Sequence, residues 1–260
     1  MSDVDWNALR ELGMAMAAEA GKFAVAERGS AVIDVGTKSS TVDIVTAADE
    51  AAEVLITARL GRDRPNDGIV GEEGANRDGT TGLTWFIDPI DGTTNFFYDL
   101  SGWVVSVAVG DNNGIGAAAV FDPVADEMYS AYRNGGAWLN GEPLKTRTTT
   151  ASLTHALVGT GFSYLADQRQ QQAELLVKLL PRVRDIRRLG SAAKDLCLLA
   201  RGSYDAYYEA GLNQWDLAAG WLIAVEAGAR VEFLAAPEDG RPVLLGSAPQ
   251  LFDELATIIG

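Results

Sequence analysis

The chain has 260 residues, of which 47% are hydrophobic and 22% are charged, and its formal net charge is −15 at pH 7. This length fits one large domain or two lobes that share an interface, and it is sufficient to bury a sizeable core. The acidic balance argues against nucleic acid or an anionic membrane as the main partner, and it is what a cluster of cation-binding carboxylates would produce.

The chain contains a single cysteine, Cys197, and a single histidine, His155. One cysteine excludes an intrachain disulfide and is typical of a reducing compartment, and the acidic start "MSDVDWNALREL" does not resemble a signal peptide. No apolar run approaches the roughly 18 residues that span a bilayer. We therefore expect a cytoplasmic protein that does not bind membranes. One histidine also excludes a Cys/His zinc site and a Ser-His-Asp triad.

The first part of the chain predicts two helices and a strand. Residues 5–28 form an amphipathic pattern, with Asp3 or Asp5 as the cap and Gly29 as the end. Residues 31–43 are predicted to be extended. "VTAADEAAEVLITARL" then predicts a second helix, and "DGIVGEEG" predicts a short strand that enters a polar turn.

The middle and the end of the chain differ in pattern. "WVVSVAVG", "GIGAAAVFDP", "EMYSAYR" and "GAWLN" have the spacing of hairpin-connected strands. The polar stretch 147–154 is the best candidate boundary, which divides the chain into lobes 1–150 and 151–260. Strands and helices alternate after it, with His155 at the start of an apolar strand and Cys197 on an apolar helix. The sequence predicts an α+β, or mixed α/β, fold with helices layered against two sheets.

The stretch "WFIDPIDGTTN" ends an apolar run with two carboxylates, Asp88 and Asp91. Pro89 cannot donate to a β ladder, so the strand must end or bulge there, which frees the carbonyl group of Ile90. Gly92 would let the backbone approach a ligand closely. The two following threonines look like the cap and first turn of a helix, whose N–H groups would attract an anion. The stretch therefore predicts oxygen ligands for a cation beside donors for a phosphate group.

Three further stretches carry carboxylates that a metal site could use. Glu72 and Glu73 follow a strand in "GEEG", and one of them would enter a site while the other is solvated. Alone, this stretch reads as a charged turn. Asp216 begins a helix in "NQWDLAAG", where an ordinary N-cap is the alternative. "KSSTVDIVTAADE" is a loop-to-helix junction, in which a basic residue would balance an acidic site. Its candidate residues are Lys38, Asp43, Thr46 and Asp49.

The donor types select the metal. Without cysteine or histidine in ligand spacing, an all-oxygen site suits Mg²⁺ or Mn²⁺ and not Zn²⁺. Two such ions about 3.5–4 Å apart form the two-metal arrangement used for phosphoryl hydrolysis. "GIGAAA" matches a dinucleotide-binding pattern only formally, because no helix follows it.

The quoted motifs also carry a resemblance to a known family. "KSSTVDIVTAAD", "VGEEG", "WFIDPIDGTTNF", "IRRLGSAAKDLCLLARGSYDAYYEAG" and "WDLAAGWLIAVEAGA" occur in the order and approximate spacing of the inositol monophosphatase family. This family belongs to the lithium-sensitive, magnesium-dependent phosphomonoesterase superfamily. The resemblance covers nearly the whole chain, and it implies a layered αβαβα sandwich and a homodimer.

The resemblance implies two Mg²⁺ ions and a weaker third ion near Glu72, with Mn²⁺ as an alternative metal. The first ion would be bound by Glu72, Asp88 and the Ile90 carbonyl group, and the second by Asp88, Asp91 and Asp216. Catalytic roles fall on Glu72, Thr93 and Asp49, of which Glu72 and Thr93 would orient and deprotonate the attacking water. The supporting residues are Lys38, Asp43, Thr46 and Glu73.

The implied substrate is a phosphorylated polyol or sugar. Glu209 would accept hydrogen bonds from inositol hydroxyl groups, and a carboxylate there disfavours a second phosphate. On the residues alone, Glu209 is equally well explained as a surface strand end. The full set of implied substrate contacts is Asp91, Gly92, Thr93, Gly190, Ser191, Ala192, Ala193 and Glu209.

One departure from the family concerns the rim of the pocket. The family often has histidine and proline after the metal motif, where this chain has Tyr98 and Ser101 in "FFYDLSGW". No metal ligand is lost, but the fine specificity stays open. The alternatives are fructose-1,6-bisphosphatase, histidinol-phosphatase and adenosine 3',5'-bisphosphate phosphatase on the same scaffold. A protein-binding role without catalysis is an alternative of a different class.

Overall fold

In the computed structural model, the described residues are 4–28, 35–37, 44–234 and 241–260. The predicted end of the first helix at Gly29, most of the extended stretch 31–43, and the side chains of Lys38 and Asp43 lie outside these ranges. The extended prediction is confirmed for residues 35–37, which form a strand.

The described helices separate into an N-terminal pair and a C-terminal group. The Asp5 carboxylate accepts a hydrogen bond from the Ala8 N–H at 3.0 Å, as expected of a cap. The helices are α1 (Trp6–Arg28), α2 (Ala47–Asp63), α3 (Thr93–Phe97), α4 (Ala166–Leu179), α5 (Ala192–Ala200), α6 (Gln214–Glu226) and α7 (Phe252–Ile259), with 3₁₀ turns at Leu153–His155, Leu180–Arg182 and Pro249–Leu251.

The described strands follow the predicted hairpin series and the predicted alternation after it. They are β1 (Val35–Thr37), β2 (Ile44–Thr46), β3 (Gly68–Gly71), β4 (Asn76–Arg77), β5 (Thr84–Asp91), β6 (Val104–Asp111), β7 (Gly114–Asp122), β8 (Glu127–Tyr132), β9 (Gly136–Leu139), β10 (Glu142–Pro143), β11 (Leu157–Thr160), β12 (Asp185–Arg187), β13 (Ala206–Ala210), β14 (Arg230–Leu234) and β15 (Val243–Ser247).

Within the described ranges, two large sheets dominate. The first has the order β10-β9-β8-β7-β6-β5-β3-β4, and β3 and β5 pair in parallel while their neighbours are antiparallel. The second has the order β12-β11-β13-β15-β14. The first lies within residues 68–143 and the second within residues 157–247, so the two sheets fall on either side of the polar stretch 147–154. The division into lobes at residue 150 stays a prediction.

The hydrophobic clusters define five layers. Side chains of α1 and α2 pack with Trp85 and Ile87 on one face of the first sheet. On the other face, α5 and α6 pack with Val104 and Val120. The same two helices contact the second sheet through Leu244, and α7 covers the far side of that sheet. The predicted αβαβα sandwich is confirmed.

Two local expectations need correction or confirmation. His155 does not begin a strand, because it ends a 3₁₀ turn and its ring nitrogen contacts the Ser152 hydroxyl group at 3.0 Å on the surface. Cys197 is buried in the cluster between the sheets, as expected. In the part of the chain that the structure describes, no helix is both long enough and apolar enough to cross a bilayer.

Candidate active site

A cavity of about 440 Å³ lies where β5 ends and where α5 and α6 begin. The site predictions were scattered over more than 140 residues of sequence, and the fold brings most of them to this one place. The predicted residues that line it are Glu72, Asp88, Ile90, Asp91, Gly92, Thr93, Gly190, Ala192, Glu209 and Asp216.

The remaining predicted residues lie behind this lining or outside the described part of the chain. Thr46 and Asp49 are buried, and Ser191 is buried behind Asp91. Glu73 follows Glu72 in the turn but does not line the cavity, as expected for one of two adjacent carboxylates.

The end of β5 has the irregular geometry that its proline predicts. Pairing with β6 shifts register between Asp88 and Asp91, so the ladder is interrupted at Pro89. The Asp88 carboxylate accepts a hydrogen bond from the Ile90 N–H at 3.0 Å. The Ile90 carbonyl oxygen accepts one from the Thr93 hydroxyl at 3.2 Å. The interruption thus lies among residues that line the cavity, which are Asp88, Ile90 and Asp91.

Gly92 has a backbone role beside the predicted approach to a ligand, which stays a prediction. It is the N-cap of α3, so the prediction that a threonine caps this helix is wrong, and its φ is 101°. A Cβ atom there would lie 3.1 Å from the carbonyl oxygen of Gly102. The glycine therefore serves a left-handed turn and a close contact with the chain at residue 102, in addition to its place in the cavity wall.

Asp49 connects α2 to the cavity through Thr93. It is the third residue of α2, whose N-cap is Thr46, and its carboxylate accepts hydrogen bonds from the Thr46 N–H at 3.0 Å and from the Thr46 hydroxyl. Its other oxygen accepts a hydrogen bond from the Thr93 hydroxyl at 3.1 Å. Asp49 therefore helps to orient the Thr93 hydroxyl group, which also contacts the Ile90 carbonyl oxygen of the β5 motif.

Asp216 occupies the equivalent position in α6. The N-cap of α6 is Asn213, so the interpretation of Asp216 as an N-cap is wrong. The Asp216 carboxylate accepts a hydrogen bond from the Asn213 N–H at 2.7 Å, which closes a capping box. Its place in the cavity wall follows from that box, because the backbone bond fixes the carboxylate at the mouth of the helix.

Asp91 is held by the start of α5. One of its oxygens accepts hydrogen bonds from the Ser191 hydroxyl and from the Ala193 N–H, each at 2.7 Å. Ser191 is also the N-cap of α5, where it accepts a hydrogen bond from the Lys194 N–H. The "LGSAA" motif therefore fixes a carboxylate of the distant "DPID" motif.

The carboxylates raise one another's pKa values. Burial is the main cause for Asp91, and the negative charges of Glu72 and Glu209 add to it, so that its pKa rises to about 7 despite its two hydrogen bonds. Burial also raises the pKa values of Asp88 and Asp216, and neighbouring carboxylates add to each shift. These groups lie in a place that disfavours negative charge unless a cation joins them.

This donor set fits magnesium. Glu72, Asp88, Asp91 and Asp216 line the cavity together with Ile90, and hard oxygen donors such as carboxylates are what Mg²⁺ prefers. No three acidic, histidine or cysteine side chains of the described ranges converge closely enough to enclose an ion as they stand. Their mutual repulsion is a physical reason for this spread, and a divalent cation would remove it.

Glu209 lies in the same cavity with its own support. Its carboxylate accepts a hydrogen bond from the Tyr207 hydroxyl, and Gly161 leaves the space that the carboxylate occupies. Burial raises its pKa, while Tyr207 and the positive charge of Arg188 oppose the rise. The interpretation of Glu209 as a surface strand end is therefore wrong, because the side chain is half-buried, lines the cavity and accepts a hydrogen bond from Tyr207.

Sequence reasoning missed several residues of the cavity wall. Arg188 and Arg241 bring positive charge to a cavity that is otherwise acidic, and Gln168 adds an amide from α4. Arg188 stands directly before the recognised "LGSAA" motif, so its position was a usable signal. The other two lie on a helix and a loop with no distinguishing pattern.

Comparisons with known proteins agree with this geometry. A sequence model described as the inositol monophosphatase family matches residues 5–247. The inositol-1-monophosphatase SuhB of Mycobacterium tuberculosis is 44% identical over 243 residues, which cover 90% of this chain and 83% of that protein. The Nus factor SuhB of Pseudomonas aeruginosa is 40% identical over 206 residues, which cover 77% and 75% of the two proteins.

A solved structure supports the same assignment. The structure of Mycobacterium tuberculosis SuhB superposes with a TM-score of 0.84 at 40% identity, covering 99% of this chain and 97% of that one. The family match spans all the motifs that meet in the cavity. The chain belongs to the inositol monophosphatase family.

Proposed function

We propose that the protein is a magnesium-dependent phosphomonoesterase that hydrolyses myo-inositol monophosphate to inositol and phosphate. The observation that carries the proposal is that Glu72, Asp88, Asp91 and Asp216 line one cavity together with Glu209. A set of oxygen donors for cations thus lies beside a carboxylate that can bind hydroxyl groups.

The cation ligands in this proposal follow the family pattern. Glu72, Asp88 and the Ile90 carbonyl group would hold one Mg²⁺, and Asp88, Asp91 and Asp216 a second, with a weaker third ion near Glu72. Bound magnesium would lower the pKa of a water molecule and offset the negative charge of the phosphate group.

The chain's own residues would move the proton and orient the water. The water oxygen forms a bond to phosphorus as the phosphorus–oxygen bond to inositol breaks, and Glu72 accepts the proton that the water loses. Thr93 would orient the water, since its hydroxyl lies within hydrogen-bonding distance of Asp49 and of the Ile90 carbonyl oxygen. The leaving oxygen of inositol takes its proton from solvent water.

Substrate selection would rest on Glu209 and on the start of α5. Gly190 and Ala192 line the cavity beside Glu209, and small residues there leave room for a ring. The Glu209 carboxylate would accept hydrogen bonds from vicinal hydroxyl groups.

A bisphosphate is the second candidate substrate. Arg188 and Arg241 line the same cavity, and guanidinium groups bind phosphate well. These arginines favour a bisphosphate, such as fructose-1,6-bisphosphate or adenosine 3',5'-bisphosphate, whereas Glu209 favours a monophosphate. Histidinol phosphate is a further candidate on this scaffold.

A protein-binding role without catalysis is the second functional class. One relative is named a Nus factor and not a phosphatase. Against this role, a purely binding protein would have no need for several carboxylates in one cavity whose pKa values are raised by burial and by one another.

A phosphate-release panel tests these candidates. Purified protein would be assayed with inositol 1-phosphate, fructose-1,6-bisphosphate, histidinol phosphate and adenosine 3',5'-bisphosphate, in Mg²⁺ and in chelator. We expect the fastest Mg²⁺-dependent turnover with inositol 1-phosphate. Faster turnover of another compound would replace the substrate, and no metal-dependent turnover of any would favour the binding role.

Three further expectations follow the family. Lithium would inhibit by competing for the second Mg²⁺ position, Mn²⁺ would replace Mg²⁺, and the protein would be a homodimer in the cytoplasm. Light scattering on a sizing column measures the dimer directly.

A further inference from the structure

We propose that Glu53, a buried residue of α2, is a positioning residue that fixes the turn carrying Glu72 and so controls magnesium binding at the cavity. The sequence motifs do not single out Glu53. The inference deepens the proposed function and rests on it.

The Glu53 carboxylate is used entirely by the backbone of that turn. The residue is only 3% exposed, although it carries a carboxylate. One oxygen accepts a hydrogen bond from the Glu73 N–H at 2.9 Å, and the other accepts one from the Ala75 N–H at 2.8 Å. A buried carboxylate with both oxygens bonded to N–H groups fixes the position of those groups firmly.

Gly71 makes this contact sterically feasible. A Cβ atom on Gly71 would lie 2.3 Å from a Glu53 carboxylate oxygen, which is well inside van der Waals contact. The backbone conformation of Gly71 is not the left-handed one that glycine favours. Its lack of a side chain therefore serves the approach of Glu53 and not a special backbone angle.

Glu72 lies between Gly71, which leaves room for the Glu53 carboxylate, and Glu73, whose N–H donates to that carboxylate. Its N–H donates to the Ile87 carbonyl oxygen at 3.1 Å, next to Asp88 on β5. The following N–H, of Glu73, donates to Glu53. The backbone of Glu72 is thus fixed on one side by the strand that carries Asp88 and on the other by α2. The Glu72 side chain consequently enters the cavity at a defined place relative to Asp88.

The positioning role differs from a purely stabilising one in what it predicts. A stabilising residue changes the unfolding free energy alone. A positioning residue also changes the concentration of Mg²⁺ that the protein needs, because a misplaced Glu72 binds the ion less well. Loss of a residue that orients a metal ligand typically weakens metal affinity by about 10-fold or more.

The test substitution is Glu53→Gln, with Glu142→Gln as the matched control on an exposed surface position. Glutamine retains one acceptor oxygen but turns an NH₂ group toward an N–H donor. We expect the Mg²⁺ concentration for half-maximal phosphate release to rise about 10-fold, with kcat at saturating Mg²⁺ changed much less. The rise of Tm on adding Mg²⁺ would shift to higher concentration in parallel. A folded Glu53→Gln protein with the Mg²⁺ dependence of the control would overturn the inference.

Gly71→Ala perturbs the same contact from the other side, and it keeps the inference testable if Glu53→Gln does not fold. Its methyl group would push the Glu53 carboxylate away from the turn. We expect the same shift in Mg²⁺ dependence, and the double variant should be no worse than the more affected single variant, since both remove one interaction. Additive effects, or an unchanged Mg²⁺ dependence in Gly71→Ala, would contradict the inference.

Failure of the inference is distinguishable from failure of the proposed function. If the unsubstituted protein shows no Mg²⁺-dependent turnover and no Mg²⁺-dependent rise of Tm, the proposed function fails and the inference with it. If it shows both and the variants match the control, only the role of Glu53 is wrong.

Discussion

Two charged clusters that both contact α5 differ in their electrostatics. The acidic pocket consists of Glu72, Asp88, Asp91 and Asp216. The paired cluster consists of Asp122, Glu127, Lys194 and Arg201. In the paired cluster, Lys194 and Arg201 contact the carboxylates directly. In the acidic pocket, the described cations Arg188 and Arg241 line the same cavity as the carboxylates.

The paired cluster is neutralised at short range. The Lys194 ammonium group lies 2.9 Å from Asp122 and 2.8 Å from Glu127, and Arg201 lies 2.7 Å from the other oxygen of Glu127. Burial disfavours the Glu127 charge, but hydrogen bonds from Lys194 and Tyr129, together with the positive charges, outweigh it and lower the pKa of Glu127 to about 2. In the acidic pocket, the pKa of Asp91 rises to about 7.

The difference indicates which cluster has a structural role and which a functional one. Each carboxylate of the paired cluster already has a cationic partner, so removal of one partner would leave an uncompensated charge. Burial and neighbouring carboxylates raise the pKa values of Asp88, Asp91 and Asp216, so their negative charge costs stability, and a bound cation would offset that cost. Substitutions in the two clusters should therefore have opposite consequences.

The largest effect is expected from Asp88→Asn in the acidic pocket. Asp88 is the proposed ligand of both magnesium ions, so its loss should reduce phosphate release by more than about a thousandfold, which corresponds to several kcal/mol. The unfolding free energy should stay the same or rise, because one repelling charge is gone. Asp78→Asn, at an exposed loop position, is the control for phosphate-release kinetics and urea unfolding. Substantial residual turnover by Asp88→Asn would contradict the two-metal proposal.

Lys194→Met should produce the opposite result in the paired cluster. Methionine keeps the length of the side chain but leaves Asp122 and Glu127 buried with less compensation, which should cost about 3–5 kcal/mol of unfolding free energy. The folded fraction should lose far less activity than Asp88→Asn does. Urea unfolding beside the exposed control Lys178→Met measures this. If the stability of Lys194→Met equalled that of the control, the cluster would not have the structural role that its geometry indicates.

Magnesium should stabilise the protein through the acidic pocket alone. A cation that binds the folded state raises the unfolding free energy by about 2.7 kcal/mol at a hundred times its Kd. We expect a matching rise of Tm in the unsubstituted protein and in Lys194→Met, and little rise in Asp88→Asn. Thermal unfolding over a Mg²⁺ series measures the effect. An equal rise of Tm in Asp88→Asn would show that the stabilising Mg²⁺ binds at another site.

The two clusters should also give opposite pH dependence, of smaller size. The pKa of Glu127 is lowered from 4.5 to about 2, so its stabilising contribution is complete above about 4.5 and is lost as the pH falls toward 2. The pKa of Asp91 is raised from 3.8 to about 7, so in chelator the folded state loses stability as the pH rises from about 4 through 7.

Unfolding free energies measured across pH 2–8 test both limbs. Glu127→Gln should flatten the acid limb, and saturating Mg²⁺ should flatten the neutral limb. If Mg²⁺ does not change the loss of unfolding free energy near neutral pH, the raised pKa of Asp91 is unrelated to cation binding.

The sequence predicts the layers and the acidic pocket because local patterns report them. The interruption at Pro89 follows from a missing N–H group, and the alternation of apolar residues places the strands. Four strands, β2, β4, β10 and β14, were not predicted. Residues 45–46 of β2 were assigned to the second helix, which begins at Ala47. Two-residue strands have no period, and β14 is defined mainly by pairing with β15.

The contacts between distant segments could not be predicted from local pattern. The hydrogen bonds from Ser191 to Asp91 and from the 73–75 turn to Glu53 join residues far apart in the chain. The sequence predicts only that Lys194 lies on a helix. Its ion pairs with Asp122 and Glu127 are visible only in the folded structure. Such contacts depend on tertiary packing, which decides whether a charge is paired or left for a ligand.

Anomalous scattering from Mn²⁺ tests whether divalent cations complete the acidic pocket. Crystals grown with Mn²⁺ would be measured. We expect peaks between the carboxylates of Asp88, Glu72, Asp91 and Asp216 that are lost in Asp88→Asn. No peak in this cavity at millimolar Mn²⁺, in a crystal whose cavity is open to solvent, would contradict that expectation.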